Sequence, residues 1–251
     1  MVSTVLVTGA TGTLGTPTTA RLREAGHDVR ALSRKAGPGL AQGDLLAGDG
    51  IRDAVAGVEV LVHLATGLRD VDMAKSAIDA ARDAGIAHVV LISIVGIEDI
   101  PLGYYKGKVL IEKYLSDSGM PHTILRATQF HQFVDAIFSG QRFSPIIVAP
   151  RFSFQPISTD EVAARLVELV GSDAAGRVAD IGGPEQRTAR DLAESWKRAR
   201  ESRRAVWSLS LPGRTVAGYA AGHNLVPGSP FGSITFDDYL DGKYRQGPQE
   251  G

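Results

Sequence analysis

The segment Val5-Leu6-Val7-Thr8-Gly9-Ala10-Thr11-Gly12-Thr13-Leu14-Gly15 constrains the fold more than any other part of the chain. A β-branched apolar run meets three glycines at three-residue spacing and passes into a helix-compatible stretch, the order strand, turn, helix that holds a phosphate chain. Gly9 permits the tight turn, Gly12 lets an anion approach the backbone, and Gly15 lets the helix pack closely on the sheet. Exposed N–H groups of the turn and the positive end of the helix dipole favour that anion. The spacing predicts a dinucleotide site built from Gly9, Thr11, Gly12, Thr13 and Leu14. An ordinary strand-to-helix turn is the alternative.

The rest of the first half repeats this alternation. Strand-like runs cover residues 4–8, 28–33, 59–63, 88–93 and 122–126, and helical stretches cover 14–25, 51–56, 70–84 and 105–118. Several helices end at a glycine suited to a left-handed cap, as at Gly26, Gly85 and Gly119. Five strands joined by right-handed crossovers predict an α/β fold with a doubly wound parallel Rossmann sheet. After residue 126 the rhythm loosens into helices near 129–138, 160–170, 188–201 and 212–222 and strands near 146–149, 152–156, 178–181 and 205–207. The expected organisation is a dinucleotide-binding core over 1–126. Residues 127–251 carry the remaining strands and a small substrate-binding lobe, the whole forming one compact unit, with a disordered tail over 246–251.

Charge and composition narrow the partners. The 27 basic residues balance 28 acidic ones, for a formal net charge of -1, so no electrostatic ground favours nucleic acid or an anionic membrane. A small-molecule substrate is expected instead. The absence of cysteine excludes disulfides, thiolate catalysis and thiolate metal sites and is compatible with a reducing compartment. The six histidines are scattered without paired ligand spacing, so no metal site is expected. The chain opens without a basic, signal-length leader and has no apolar run long enough to span a bilayer, which predicts a cytoplasmic location.

The second strand ends at Ser33-Arg34-Lys35. A site that prefers NAD carries an acid here for the ribose hydroxyls, whereas two cations stand in its place. Arginine can fork onto a 2′-phosphate and stack on adenine, so NADP(H) is the expected cofactor, with NAD(H) possible. The same pair also suits a solvated basic turn.

The motifs of this chain resemble a known family. The glycine turn has the G-x-x-G-x-x-G spacing of the short-chain dehydrogenase/reductase superfamily. Together with Gly43-Asp44-Leu45, Val62-His63-Leu64-Ala65-Thr66, Ser116-Asp117-Ser118-Gly119 and Thr123-Ile124-Leu125-Arg126, it is similar to the NmrA-like branch of atypical members, over most of the chain. The resemblance implies that Asp44 and Leu45 flank the adenine and that Leu64, Ala65 and Thr66 line the ribose side. It implies that residues 126–129 form the loop near the nicotinamide, with Thr128 toward the substrate. It also implies that Asp160-Glu161-Val162-Ala163 is a structural helix start.

Ser93, Tyr104 and Lys108 match the serine and Y-x-x-x-K set of that superfamily. Tyr104 and Lys108 are four residues apart on one helical face, where an ammonium favours the phenolate and brings a phenol toward general acid–base work. Ser93 ends the fourth strand, where a hydroxyl can polarise a carbonyl. Tyr105 also shares a face with Lys108, and Tyr104 equally suits the lining of an apolar pocket. Lys108 is expected to hold ribose hydroxyls in either case, and Glu112 to pair with Lys108 or sit on a surface face. Phe130 and His131 open the substrate lobe as candidate substrate contacts, His131 alternatively being a structural histidine. Phe133, Phe138 and Phe143 suggest an aromatic pocket or a core.

These readings predict an NAD(P)H-dependent oxidoreductase acting on a small carbonyl, quinone or aromatic substrate. The alternatives are a regulator that senses the NADPH to NADP⁺ ratio, and a secondary-metabolite tailoring enzyme (oxygenation or isomerisation) with a repurposed cofactor. By analogy with related dehydrogenases the helix at 105–118 would pair subunits, so a monomer or homodimer is expected.

Overall fold

In the computed structural model, which describes residues 2–245, the first half runs β1 (Thr4–Thr8), α1 (Gly15–Glu24), β2 (Asp28–Ser33), β3 (Leu40–Gln42), α2 (Ile51–Val55), β4 (Val60–His63), α3 (Asp70–Asp83), β5 (His88–Ile94), α4 (Gly103–Asp117) and β6 (His122–Ala127). The second half runs α5 (His131–Ser139), β7 (Ile146–Pro150), β8 (Ser153–Phe154), α6 (Thr159–Val170), β9 (Gly176–Arg177), β10 (Arg187–Thr188), α7 (Ala189–Ala199), β11 (Ala205–Leu209), α8 (Arg214–Ala220) and α9 (Phe236–Tyr244). The tail over 246–251, expected to be disordered, lies outside the described residues.

The chain divides into two compact units whose segments interleave along the sequence. The first is Met1–Ser93, Gly103–Arg126 and Val162–Ala179; the second is Ile94–Leu102, Ala127–Glu161 and Asp180–Gly251. The first unit holds a seven-stranded sheet in the order β3-β2-β1-β4-β5-β6-β9, parallel at β1–β2, β1–β4, β2–β3, β4–β5 and β6–β9. Its first six strands follow the order of a doubly wound dinucleotide fold. Five of the seven strands are the expected ones. β3 is three residues long, and β9 contributes only Gly176 and Arg177 beside Thr123 and Ile124. The strand expected over 178–181 reduces to one bridge, Ala127 to Ile181, in the second unit.

Helix α3 shows why this unit closes. Asp70 and Asp72 stand in its first turn and Arg82 in its last, each opposing the helix dipole. Ala74, Ala77, Ile78 and Ala81 recur at helical spacing and are buried against Leu6, Leu61, Val89 and Leu91 of the sheet and Ile111 and Leu115 of α4. The core-facing stripe of α4 is unusual in chemistry: Tyr105, Lys108, Ile111, Glu112 and Leu115 are all buried. Two ionisable side chains therefore occupy positions that packing alone would fill with leucine.

The second unit has smaller sheets. β11 pairs in parallel with β7, Ala205 beside Ile146 and Leu209 beside Pro150, and β10 pairs antiparallel with β8. Helices α5, α7 and α9 meet at one carboxylate. Asp135 accepts hydrogen bonds from Trp196 Nε1 (2.7 Å), Lys243 Nζ (2.6 Å), Tyr239 Oη (3.1 Å) and Tyr244 Oη (2.9 Å). Burial alone would raise its pKa, but the bonds from Lys243, Trp196 and Tyr244 prevail and hold it below the ordinary carboxylate value. Thr235 caps α9 in a reciprocal box with Asp238.

Candidate functional site

The strand order reverses at β1 and β4, and ligands of open α/β sheets bind beyond the carboxyl ends of the strands at such a point. The chain leaves β1 straight into the glycine turn. Gly9 has a φ of 68°, and a Cβ there would come within 2.7 Å of the Ala65 backbone nitrogen. A Cβ at Gly15 would overlap the Gly9 carbonyl oxygen. Thr11, Gly12 and Thr13 are exposed. Leu14 caps α1 without a side-chain hydrogen bond, and the first turn of α1 contains no acid. Thr16 N–H turns back to the Gly12 carbonyl (3.0 Å) and Pro17 has no N–H, so it is the exposed, side-chain-poor turn at the positive end of the α1 dipole that fits the phosphates of a dinucleotide.

The floor of the turn rests on Thr8. Its hydroxyl accepts from the N–H groups of Leu64 (3.2 Å) and Ala65 (3.3 Å) and lies 2.9 Å from His63 Nδ1. With both lone pairs used, the hydroxyl proton goes to Nδ1, which leaves the ring proton of His63 on Nε2. That Nε2 is buried and has no hydrogen-bond partner. Burial and then the charge of Lys108 lower the His63 pKa to about 3, so the ring is neutral at ordinary pH.

On the neighbouring side of β1, Val7 pairs with Ala31. The end of β2 at Ser33 therefore leaves the sheet on the same edge as the turn. Arg34 and Lys35 follow it and are exposed, with no ion pair among the described residues. Asp44 uses Oδ1 locally, accepting from the N–H groups of Leu46 (2.8 Å) and Ala47 (3.3 Å), while Leu45 is buried.

The first unit also brings Thr66, Tyr104 and Lys108 together. Tyr104 Oη is 2.9 Å from Thr66 Oγ1, the Tyr104 ring is 41% exposed, and its centroid lies 5.5 Å from Lys108 Nζ. Tyr105, the other tyrosine near Lys108, points into the core at 4% exposure. Lys108 Nζ stands 2.9 Å from Asp70 Oδ2, their side chains 5% and 7% exposed. Glu112 departs from expectation: it is buried and paired with Arg126, with Nε to Oε1 at 2.9 Å and Nη2 to Oε2 at 2.6 Å. A fork-to-fork pair with a guanidinium satisfies both carboxylate oxygens, which a single ammonium one turn away cannot do. Ser93 is buried, and its Oγ has no hydrogen-bond partner.

Sequence reasoning passed over Asp70, Thr8 and His63 as site residues. Asp70 carries no local signal beyond its place in the first turn of a helix, and its partner is 38 residues away on α4. His63 lay within the motif that was recognised, yet its burial follows only from the sheet.

The residues expected to meet substrate belong to the second unit. Thr128 Oγ1 donates to the Gln155 carbonyl at 2.5 Å. His131 is 1% exposed; its Nε2 is 3.2 Å from the Pro156 carbonyl, and its ring packs on Phe236 and Tyr239. Burial lowers its pKa to about 4. Phe130 is half-buried. Phe138 is a core residue against Trp196, whereas Phe133 and Phe143 are exposed, so the four phenylalanines do not form one wall. Among the described residues there is no cluster of three or more potential metal ligands, and no helix is long and apolar enough to cross a membrane.

Solved structures with this fold include the NADPH-dependent quinone oxidoreductase of Escherichia coli complexed with NADPH. It has a TM-score of 0.81 at 20% identity, over 96% of this chain and 99% of that one. The triphenylmethane reductase of Citrobacter sp. complexed with NADP(H) gives 0.78 at 18%, over 96% and 99%. Curated relatives include the chloroplastic divinyl chlorophyllide a 8-vinyl-reductase of Oryza sativa subsp. indica, 28% identical over 72% of this chain and 55% of the relative. The chain thus spans about half the length of that reductase. The (4-alkanoyl-5-oxo-2,5-dihydrofuran-3-yl)methyl phosphate reductase of Streptomyces griseus is 29% identical over 74% and 70%, and a photosystem II assembly factor of Cyanophora paradoxa is 26% identical over 96% and 85%. The family model described as NAD(P)H-binding matches residues 9–173, from the glycine turn through β5 and α4 to the end of the sheet helices, and the chain accordingly belongs to this NAD(P)H-binding family, consistent with the NmrA-like, atypical short-chain dehydrogenase/reductase resemblance of its motifs.

Proposed function

We propose that the protein is an NADPH-dependent reductase of a small conjugated carbonyl, quinone or aromatic substrate. The carrying observation is that one unit joins the uncapped helix end behind Gly12 to a buried ammonium, Lys108, beside a half-exposed phenol, Tyr104. NADPH, when bound, would supply the hydride for the electrophilic carbon of the substrate. The turn and the N-terminus of α1 bind the pyrophosphate. Arg34 and Lys35, exposed and without carboxylate partners among the described residues, take the 2′-phosphate and set the preference over NADH. Lys108 donates to ribose hydroxyls, and the free Ser93 hydroxyl polarises the acceptor oxygen. Tyr104 delivers the proton to that oxygen, passing its own hydrogen bond from Thr66 to the substrate.

A second reading is a cofactor-binding module that acts on a protein partner. It is supported by the assembly factor of Cyanophora paradoxa, the relative that covers the most of this chain among those above. Monitoring NADPH oxidation with a panel of quinones, enones and triphenylmethane dyes separates the two. Turnover that falls at least 100-fold in Tyr104→Phe supports the reductase with its proton donor. Binding without turnover on the whole panel supports the module.

A further inference from the structure

Two ionisable side chains sit in the core-facing stripe of α4, and their partners differ in kind. Glu112 is closed by Arg126 through two hydrogen bonds. Lys108 has one ionic neighbour among the described residues, the Asp70 carboxylate at 2.9 Å, and neither Asp70 oxygen takes an aligned hydrogen bond from any group. An ammonium carries three donors, so Lys108 keeps donors to spare while its charge is balanced. A buried charge without a counter-ion is costly and tends to neutralise itself. The other groups facing Lys108 carry no counter-charge: His63 on β4 is neutral, and Tyr104 on α4 presents the face of its ring, a weaker cation–π contact.

From this geometry we infer that Asp70 is a positioning residue for Lys108, balancing the ammonium's charge and fixing it at the carboxyl edge of the sheet so that its remaining donors meet the cofactor's ribose hydroxyls. The inference rests on the reading of Lys108 as a cofactor contact. Asp70 itself touches no reacting atom. Its place in the first turn of α3 gives it a second favourable partner, the helix dipole.

The test is NADPH affinity measured calorimetrically from pH 7 to 10 in four forms of the full chain. In the wild type the affinity holds to at least pH 9. In Asp70→Asn it falls at least tenfold across the range, with the midpoint at least one pH unit lower. Asp70→Glu returns the midpoint to that of the wild type, and Lys108→Met binds weakly at every pH. Should Asp70→Asn fail to fold, Asp70→Ser, which admits water beside the ammonium, is measured in its place with the same expected shift. A neutral-variant profile that superimposes on the wild type while Lys108→Met is weakened overturns the role of Asp70. Wild-type affinity in Lys108→Met overturns instead the cofactor role of Lys108 on which it rests.

Discussion

Thr8 Oγ1 lies 2.9 Å from His63 Nδ1 while accepting from the backbone N–H groups of Leu64 and Ala65. One hydroxyl thus ties the ends of β1 and β4 at the point where the sheet order reverses. A lone buried threonine has three hydrogen bonds to lose here, and each partner lies where no water replaces it cheaply. Thr8→Val keeps the shape and removes all three. The variant is expected to lose about 1–3 kcal/mol of stability, read by urea denaturation, and to bind NADPH more weakly because Ala65 N–H loses its acceptor and Leu64 N–H keeps only the Thr8 carbonyl. Wild-type stability would show that the three contacts are not coupled to the hydroxyl.

Two buried neutral histidines give the fold a specific acid sensitivity. The pKa values of His63 and His131, about 3 and about 4 in the folded chain, lie below the ordinary histidine value of 6.5. The unfolded chain therefore takes up more protons than the folded one between pH 6.5 and about 4, and stability falls as pH falls through that window. Each histidine contributes a slope of up to about 1.4 kcal/mol per pH unit. His88, also shifted down by burial first, adds in the same direction. Asp135 is held below its ordinary value of 3.8 and loses its contribution only below the window. Urea denaturation at pH 7, 6, 5 and 4.5 is expected to show a shallower slope in His131→Gln than in the wild type. Parallel slopes would remove His131 from the account.

Asp135 gathers α5, α7 and α9 through one carboxylate. Asp135→Asn leaves Lys243 without its anion and turns one acceptor oxygen into a donor that faces the Trp196, Tyr239 and Tyr244 donors. The expected loss is at least ~2 kcal/mol, accompanied by earlier proteolytic cleavage in the α9 region. Retained stability with unaltered cleavage would mean that α9 is held by its apolar contacts, Phe236 and Leu240, and by the Asp237–Arg187 pair without Asp135.

The sheet was legible because its strands carry their own signal. Val5-Leu6-Val7 and Val89-Val90-Leu91 are β-branched runs bounded by turn residues, and the glycine turn fixes which strand comes first. β3 and β9 were not legible: Leu40–Gln42 is too short for a pattern, and Gly176–Arg177 is a strand only because Thr123 and Ile124 lie beside it. In the site, the backbone-built part could be read, since Gly9 and Gly15 are required by geometry that no side chain tolerates. The pairings could not. Glu112 stands one helical turn from Lys108, yet Arg126 of β6 takes it, and Lys108 turns to Asp70 of α3. Such choices depend on which elements pack together, and spacing along the chain does not encode them.

Calorimetric titration of the wild type with NADPH and NADH, repeated on Arg34→Ala and Gly12→Ala, bears most directly on cofactor use. Gly12 is exposed and has an ordinary φ, and a Cβ there would meet only the Gly9 carbonyl, at 3.2 Å, so the variant folds while its side chain blocks the phosphates. The account predicts NADPH binding at least tenfold tighter than NADH in the wild type, loss of that preference in Arg34→Ala, and loss of both cofactors in Gly12→Ala. NADH binding as tightly as NADPH, or undiminished binding in Gly12→Ala, would contradict it.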